Sequence, residues 1–252
     1  MTLELFFSKH PDAAVALSGG TDSSYLLYAG YTFAKRIRAY YVQTVLQPQV
    51  ELEDARRLTS DLGICLSVVK LDILGVPHIA ENPSNRCYYC KAALFSAIVK
   101  EALKDGFPIV LDGTNASDKT DERPGMQALS ELGVRSPLKE CGLTKQDIRS
   151  LARKAGLFTW NKPAYACLAT RIPTGQHITT DMLTRVDHAE QKLFSLNFTD
   201  FRVRITGTAA KLQFTAVQLP EAFRKREKIR SVLSEYFSDI LLDLKPRQGE
   251  IE

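Results

Sequence analysis

The segment Ser18–Ser23, which reads Ser-Gly-Gly-Thr-Asp-Ser, has the composition of a phosphate-binding loop. An apolar run typical of a buried strand precedes it, and a run typical of a helix follows it. Glycines let the backbone approach a phosphate closely, and the N–H groups and dipole at a helix start favour negative charge. No Gly-Lys-Ser/Thr follows the glycines, so this is not a Walker loop. The alternative interpretation is a Ser/Gly-rich turn that only caps the helix.

Three of the five cysteines lie in segments that could carry chemistry. Cys87 and Cys90 form Cys-Tyr-Tyr-Cys at a predicted loop-to-helix junction, where the helix start and the neighbours Arg86 and Lys91 favour thiolates. Cys167 lies on a long loop. Three thiolates suit a [4Fe–4S] cluster that leaves one iron open, whereas zinc usually requires a fourth Cys or His. The Cys-x-x-Cys pair could instead be a redox pair or helix-packed thiols.

The other two cysteines are predicted to be packing residues. Cys65 opens an apolar, β-rich run, and Cys141 lies just before a predicted helix. An odd number of cysteines in a chain without a secretory signal pattern argues against a disulfide framework.

The composition is that of an ordinary globular protein with little net charge. The 252 residues are 44% hydrophobic and 25% charged, and the formal net charge is +4. This charge permits an anionic ligand, but without a run of Lys and Arg it argues against a nucleic-acid partner. No apolar run is long enough to span a bilayer, so we expect no membrane partner and a cytoplasmic location.

Strands and helices alternate through the first two thirds of the sequence. The predicted strands are 13–17, 37–43, 65–73 and 109–111, and the predicted helices are 22–34, 52–62 and 91–104. This alternation indicates an α/β fold with a doubly wound parallel sheet that is covered on both faces. Ligands of such sheets bind at the carboxyl ends of the strands. Ser18–Ser23 and Asp112–Asn115 both follow predicted strands.

The pattern changes towards the C-terminus. Short helices near 124–133 and at 145–154 precede a long loop, 160–175, rich in Pro, Ala and polar residues. Beyond it we predict helix 179–196, strands 201–206 and 211–216, helix 220–237 and strand 239–244. This order indicates a smaller α+β domain, and we place the domains at 1–172 and 173–252.

Four motifs occur in a fixed order: Ser18–Ser23, Arg-Cys-Tyr-Tyr-Cys-Lys at 86–91, Asp-Gly-Thr-Asn at 112–115 with the later Asp121 and Arg123, and Ala-Cys-Leu-Ala-Thr-Arg-Ile-Pro-Thr-Gly at 166–175. With Phe-Arg-Val-Arg at 201–204, they resemble the LarE family of ATP-dependent sulfur transferases over nearly the whole chain. The resemblance implies a PP-loop ATP pyrophosphatase fold, which is similar to that of adenine nucleotide alpha hydrolases. Enzymes with this fold cleave ATP between the α and β phosphates. The resemblance further implies a homo-oligomer that makes thiocarboxylates from a pyridinium biscarboxylate mononucleotide, for the nickel-pincer cofactor of lactate racemase.

The resemblance also implies roles for individual residues. It assigns the ATP phosphates to Ser18, Gly19, Gly20, Thr21, Asp22, Ser23 and Gly113, with Asp22 near Mg²⁺. It assigns the [4Fe–4S] cluster to Cys87, Cys90 and Cys167, and Cys167 is also the sulfur donor of sacrificial members. Arg171, Arg202 and Arg204 are expected to bind substrate, and Asp112, Asn115, Asp121, Arg123 and Glu190 are further candidates. Arg202, Arg204 and Glu190 could instead lie on solvated faces.

The sequence departs from the family pattern mainly in its substrate half. Glu122 replaces an expected aromatic residue, and Gln213 replaces a usual acidic one. The activation chemistry is therefore better supported than the identity of the substrate.

The expected reaction has two steps. A substrate carboxylate is adenylylated with release of pyrophosphate, and sulfur then displaces AMP. The sulfur comes from sulfide or a persulfide carrier through the cluster, or from Cys167, which would become dehydroalanine. Two alternatives are a cluster-containing tRNA thiolation enzyme and a nucleotide-binding redox sensor that adenylylates nothing.

Overall fold

The computed structural model describes residues 1–118, 124–163 and 165–248. The chain divides into two compact units. The first unit comprises Met1–Thr44, Gln49–Pro77 and Asn85–Lys162. The second comprises Val45–Pro48, His78–Ser84 and the described residues from Pro163 onward.

The first unit is an α/β structure built on a four-stranded sheet. Its elements are α1 Leu3–Lys9, β1 Asp12–Ala16, α2 Thr21–Phe33, β2 Arg36–Gln43, α3 Gln49–Leu62, β3 Leu66–Lys70, α4 Arg86–Lys104, β4 Val110–Leu111, α5 Pro124–Glu131, α6 Pro137–Glu140 and α7 Lys145–Lys154. The strand order is β3-β2-β1-β4, and every pair is parallel. The predicted parallel sheet is therefore confirmed, and it is compatible with a Rossmann-like fold.

Apolar side chains cover both faces of this sheet. Successive residues of a strand point to opposite faces, and β1 shows this directly. Val15 packs in a cluster with Phe6 and Leu26, whereas Ala14 packs in a second cluster with Ile98. The central strand is buried on both sides, which explains why it reads as an unbroken apolar run.

The strand order reverses direction at β1. The chain passes from β1 to β2 and β3 on one side, then returns to place β4 on the other side of β1. Because β1 and β4 are parallel neighbours, the segments that follow them leave the same edge of the sheet. This edge is the topological switch point at which open α/β sheets bind ligands.

The second unit contains a three-stranded mixed sheet. Its elements are a 3-10 turn at Leu168–Arg171, α8 Thr180–Ser195, β5 Phe201–Thr206, β6 Ala209–Phe214, α9 Leu219–Arg224, α10 Arg226–Leu233 and β7 Ile240–Leu242. Strand β6 lies between antiparallel β5 and parallel β7. The predicted α-β-β-α-β order is confirmed, except that helix 220–237 is two short helices. The interruption is at Lys225, whose ψ of 11° is not helical and whose ammonium donates to the Leu196 carbonyl at 3.2 Å.

Several local predictions were incomplete or wrong. The sequence analysis missed α1 and α6, and α4 begins at Arg86 rather than at Lys91. Cys65 is exposed and precedes β3, which is an edge strand of the sheet, so the apolar run at 65–73 is only partly covered. The loop 160–175 contains the 3-10 turn. Cys141 packs against the core as predicted. Within the described residues, no helix combines the length and apolar character that crossing a membrane requires.

Candidate functional site

The loop after β1 delivers the start of α2 to the switch point. Gly19 has a φ of 71°, a left-handed value that favours glycine, and Gly20 is the N-cap of α2. The first helical hydrogen bond runs from the Ser24 N–H to the Gly20 carbonyl at 3.1 Å. The N–H groups of the first turn precede this bond, so they have no acceptor within the helix. The loop thus presents the positive end of the α2 dipole at this edge.

Two serine side chains close the loop on itself. The Ser18 N–H donates to Ser23 Oγ at 3.2 Å, and the two hydroxyl oxygens lie 3.0 Å apart. Ser23 Oγ also donates to the Gly20 carbonyl at 3.3 Å. These bonds join the two ends of the motif and give it a defined, compact shape.

Glycines in both segments at this edge allow close backbone contact. A Cβ on Gly19 would lie 2.6 Å from the Glu51 carbonyl oxygen of α3. A Cβ on Gly113 would lie 2.9 Å from the Ser23 backbone nitrogen. The Asp112–Asn115 segment therefore packs directly on the start of α2, and the two segments that sequence analysis selected do meet.

Asp22 receives positive charge from a residue that sequence analysis missed. Lys145 Nζ lies 2.8 Å and 2.7 Å from the two Asp22 carboxylate oxygens, and Asn115 Nδ2 donates to the same carboxylate at 3.4 Å. Lys145 is the first residue of α7, and Thr144 and Asp147 form a capping box there. The capping box was visible in the sequence, but the position of α7 beside α2 was not.

Asp112 shapes its segment through internal hydrogen bonds. Its buried carboxylate accepts from Thr114 Oγ1 on one oxygen and from Ser136 Oγ at 2.5 Å on the other. Both oxygens are therefore engaged within the segment and its neighbour. Asp121 and Arg123, together with Glu122, lie outside the described residues.

The Cys-x-x-Cys pair lies at the start of α4, inside the helix and not on the loop that was predicted to precede it. The helix begins at Arg86, so Cys87 and Cys90 are its second and fifth residues, and Cys87 is exposed. Cys167 belongs to the second unit, where it precedes the 3-10 turn and is partly exposed. None of the five cysteines forms a disulfide. The described part of the chain contains no group of three His, Cys, Asp or Glu residues placed to hold a metal ion.

A buried ion pair lies beside the 3-10 turn in the second unit. Arg171 contacts Glu190 through two bonds of 2.8 Å and 3.1 Å, and both side chains are only 1% exposed. The Val203 N–H also donates to Glu190 at 2.9 Å. Burial lowers the pKa of Arg171 and raises the pKa of Glu190, whereas the bidentate contact favours the charged forms. The solvated-face alternative for Glu190 is therefore wrong.

The arginine pair on β5 is divided between the interior and the surface. Arg202 is buried and donates to the Phe201 carbonyl at 2.7 Å, whereas Arg204 is exposed. A solvated strand face therefore describes Arg204 but not Arg202. Sequence analysis missed two neighbours: Arg247 pairs with Asp200, and Asp200 lies 3.8 Å from Arg202.

Tyr165 lies beside the basic cluster of the second unit, which consists of Arg171, Arg202, Arg204 and Arg247 with Glu190 and Asp200. The Arg171 and Arg202 guanidinium carbons lie 4.9 Å and 5.4 Å from its ring centroid. Its hydroxyl is buried and has no hydrogen-bond partner among the described residues. Four arginines and two carboxylates leave excess positive charge, which is suited to an anionic ligand.

An all-parallel sheet with a closed, glycine-rich loop and a carboxylate at its switch point is compatible with the class of Rossmann-like α/β proteins. Comparison with known proteins narrows this class. The chain is 34% identical over 233 residues to the pyridinium-3,5-bisthiocarboxylic acid mononucleotide synthase of Lactiplantibacillus plantarum, which covers 91% of this chain and 84% of that protein. The chain therefore belongs to the family of that synthase, the LarE family.

Two uncharacterised proteins are also similar to the chain. One, from Synechocystis sp., is 36% identical over 87% of this chain and 82% of its own length. The other, from Methanocaldococcus jannaschii, is 26% identical over 94% of this chain and 90% of its own length. No protein-family model matches the chain.

Proposed function

We propose that this chain is an ATP-dependent sulfur transferase that adenylylates a substrate carboxylate, releases pyrophosphate and forms a thiocarboxylate. The name of the Lactiplantibacillus plantarum relative describes the synthesis of a bisthiocarboxylic acid mononucleotide. We assign this chain the same kind of product, in the biosynthesis of a nickel-pincer cofactor. The observation that carries the proposal is the Asp22 carboxylate on the first turn of α2, in contact with Lys145.

The chemistry explains why ATP is required. A carboxylate is a poor electrophile, because its negative charge repels nucleophiles and oxide is a poor leaving group. Attack of the carboxylate oxygen on the α-phosphorus of ATP breaks the bond to pyrophosphate and makes AMP the leaving group. The pyrophosphate would lie on Ser18–Ser23, with Gly113 behind the start of α2, where first-turn N–H groups and the helix dipole stabilise negative charge.

The surroundings of Asp22 suit a magnesium ion. The Asp22 carboxylate is an oxygen ligand of the kind that Mg²⁺ prefers. Lys145 Nζ lies 2.8 Å and 2.7 Å from its two oxygens, and Asn115 Nδ2 donates to one of them at 3.4 Å, so Mg²⁺ would have to displace this ammonium. Mg²⁺ at Asp22 would neutralise the departing pyrophosphate.

Sulfur delivery is assigned to the cysteines. We propose Cys87, Cys90 and Cys167 as ligands of a [4Fe–4S] cluster, because all three are thiols and the first two share one helical turn. When bound, such a cluster supplies an open iron that can carry sulfur. The alternative is that the Cys167 thiolate itself displaces AMP and then loses its Cα proton, so that the Cβ–S bond breaks. That route leaves dehydroalanine at position 167 and allows one turnover.

The basic cluster of the second unit is assigned to the substrate. Arg202 and Arg204 would bind the phosphate of a nucleotide-like carboxylate, since guanidinium groups pair with phosphate through two hydrogen bonds. Arg171 already contacts Glu190, Ala166 and Thr170, so its contribution would come mainly from charge. We retain the domain division at 1–172 and 173–252, a homo-oligomer and a sulfide or persulfide donor as parts of the proposal.

The substitution Asp22→Asn tests the activation step. We expect pyrophosphate release from ATP, in the presence of the pyridinium biscarboxylate mononucleotide, to fall at least about 100-fold, the scale of losing one essential electrostatic group. The control is Asp61→Asn, which removes an exposed carboxylate paired only loosely with Arg57 at 3.8 Å. Pyrophosphate release at the wild-type rate by the Asp22 variant would contradict the proposal, provided that the control is also unchanged.

A further inference from the structure

Lys162, the last residue of the first unit in sequence, contacts the glycine-rich loop Ser18–Ser23. Its Nζ donates to the Gly19 carbonyl at 2.9 Å and also forms an ion pair with Asp54 of α3. Both charged side chains are only 20% exposed. Lys162 lies 143 residues after Gly19 in the chain, so this contact belongs to the folded unit and not to local structure.

The peptide that Lys162 contacts has little intrinsic rigidity. It joins Gly19 to Gly20, and the torsions on either side of it both belong to glycine, which populates several backbone regions at low cost. In a planar trans peptide, the carbonyl and the following N–H point in opposite directions. A donor that holds the Gly19 oxygen therefore turns the Gly20 N–H to the opposite side.

That opposite side is the interior of the loop. The Gly20 N–H makes a long contact of 3.4 Å with Ser18 Oγ, the hydroxyl that closes the motif. A long contact of this kind is weak and is easily exchanged for a better acceptor. Rotation of the peptide would instead place a carbonyl oxygen inside the loop, where it would repel a phosphate.

Neighbouring residues support the same arrangement. Thr21 Oγ1 donates to the Thr159 carbonyl at 2.7 Å, so residues 159 and 162 contact the loop on both sides of Gly20. Asp54 is one helical turn beyond Glu51, whose carbonyl oxygen packs against Gly19. The ammonium of Lys162 is thus fixed between α3 and the loop.

We propose that Lys162 is a positioning residue that fixes the Gly19–Gly20 peptide with its N–H directed at the bound pyrophosphate group of ATP. Asp54 holds the ammonium in place. The inference rests on the proposed function, because it assumes that Ser18–Ser23 is the phosphate site. It adds a residue outside that motif which determines how well the motif binds.

The variant Lys162→Met keeps the length of the side chain and removes the donor. We expect the dissociation constants of ATP and of pyrophosphate, measured by calorimetry with Mg²⁺, to rise about tenfold, the effect of one lost charge-assisted hydrogen bond. The KM for ATP should rise in parallel, whereas the KM for the carboxylate substrate stays the same. Lys162→Arg should restore affinity to within about threefold, since a guanidinium can donate to both Gly19 and Asp54.

Two further variants provide an independent test and a control. Asp54→Asn should weaken ATP binding in the same direction but less, even if Lys162→Met folds poorly. Lys154→Met removes an exposed lysine of α7 and should change nothing. Equal ATP and pyrophosphate affinities in Lys162→Met and wild type would overturn the inference, as would equal rises in both KM values. If the wild type binds ATP but releases no pyrophosphate, the proposed function fails while the binding comparison still tests Lys162.

Discussion

At the scale of single residues, burial decides how much a charged side chain matters. Arg171 and Glu190 are each 1% exposed and contact each other through two bonds, whereas Arg57 and Asp61 are exposed and lie 3.8 Å apart. Removing one partner of a buried pair leaves an uncompensated charge that water cannot reach. The exposed pair is screened by solvent, so its loss has little consequence.

We therefore expect Glu190→Gln to lower the free energy of unfolding by about 3–5 kcal/mol, measured by urea denaturation. Asp61→Asn should change it by less than about 0.5 kcal/mol. The double variant Arg171→Met/Glu190→Gln should recover part of the loss, because glutamine still accepts from the Val203 N–H and neither position carries an unpaired buried charge. A double variant as unstable as the sum of its single variants would contradict this explanation.

At the scale of elements, the approach of α3 to the loop after β1 requires glycine at one position. Gly19 and Gly63 both have left-handed φ values, 71° and 65°. They differ in space, because a Cβ on Gly19 would meet the Glu51 carbonyl oxygen at 2.6 Å, whereas a Cβ on Gly63 would meet nothing within 4 Å. Alanine at Gly63 would therefore add backbone strain alone, whereas alanine at Gly19 would add the same strain and a steric clash with α3.

Gly63→Ala should destabilise the protein by about 1–2 kcal/mol, the cost of a left-handed alanine, and leave ATP affinity unchanged. Gly19→Ala should cost more and weaken ATP binding at least about tenfold, since the loop or α3 must move to admit the methyl group. Urea denaturation and calorimetry measure the two effects. Wild-type ATP affinity in Gly19→Ala would show that the loop geometry is not what binds the nucleotide.

At the scale of the whole molecule, replacing the cysteines one by one distinguishes the two proposed routes of sulfur delivery. Cys87 and Cys90 belong to the first unit, Cys167 belongs to the second, and Cys65 and Cys141 lie elsewhere in the first. Each can be replaced by alanine, after which the protein is reconstituted with iron and sulfide without oxygen. Burial raises the pKa of the Cys141 thiol, which makes that residue a weaker ligand and a suitable control.

We expect the alanine variants of Cys87, Cys90 and Cys167 to lose bound iron, and those of Cys65 and Cys141 to retain the wild-type amount per chain. Iron and sulfide analysis with an absorption spectrum measures this. Undiminished iron in the Cys87 and Cys90 variants would contradict the cluster. If those variants also make one thiocarboxylate per chain, and position 167 loses the mass of H₂S, the sacrificial route replaces it.

The sequence by itself determined most of the local elements and the sheet edge at which the candidate site lies. Apolar runs, alternating elements and glycine-containing turns specify the parallel sheet, because hydrophobic periodicity and turn chemistry act between residues close in the chain. The motif Ser18–Ser23 was readable for the same reason. The edge position of β3 was not readable, which is why Cys65 was wrongly predicted to be buried.

Only the tertiary structure decided the partners of the charged residues. Lys145 meets Asp22 across 123 residues of sequence, and Lys162 meets Gly19 across 143. Arg171 forms an ion pair with Glu190 inside the second unit, although the sequence allowed Glu190 equally well to lie on a solvated face. A charged side chain has the same composition and periodicity whether it faces water or a partner, so hydropathy cannot choose between them. The choice is made when packing brings distant segments together and desolvation forces each buried charge to be paired.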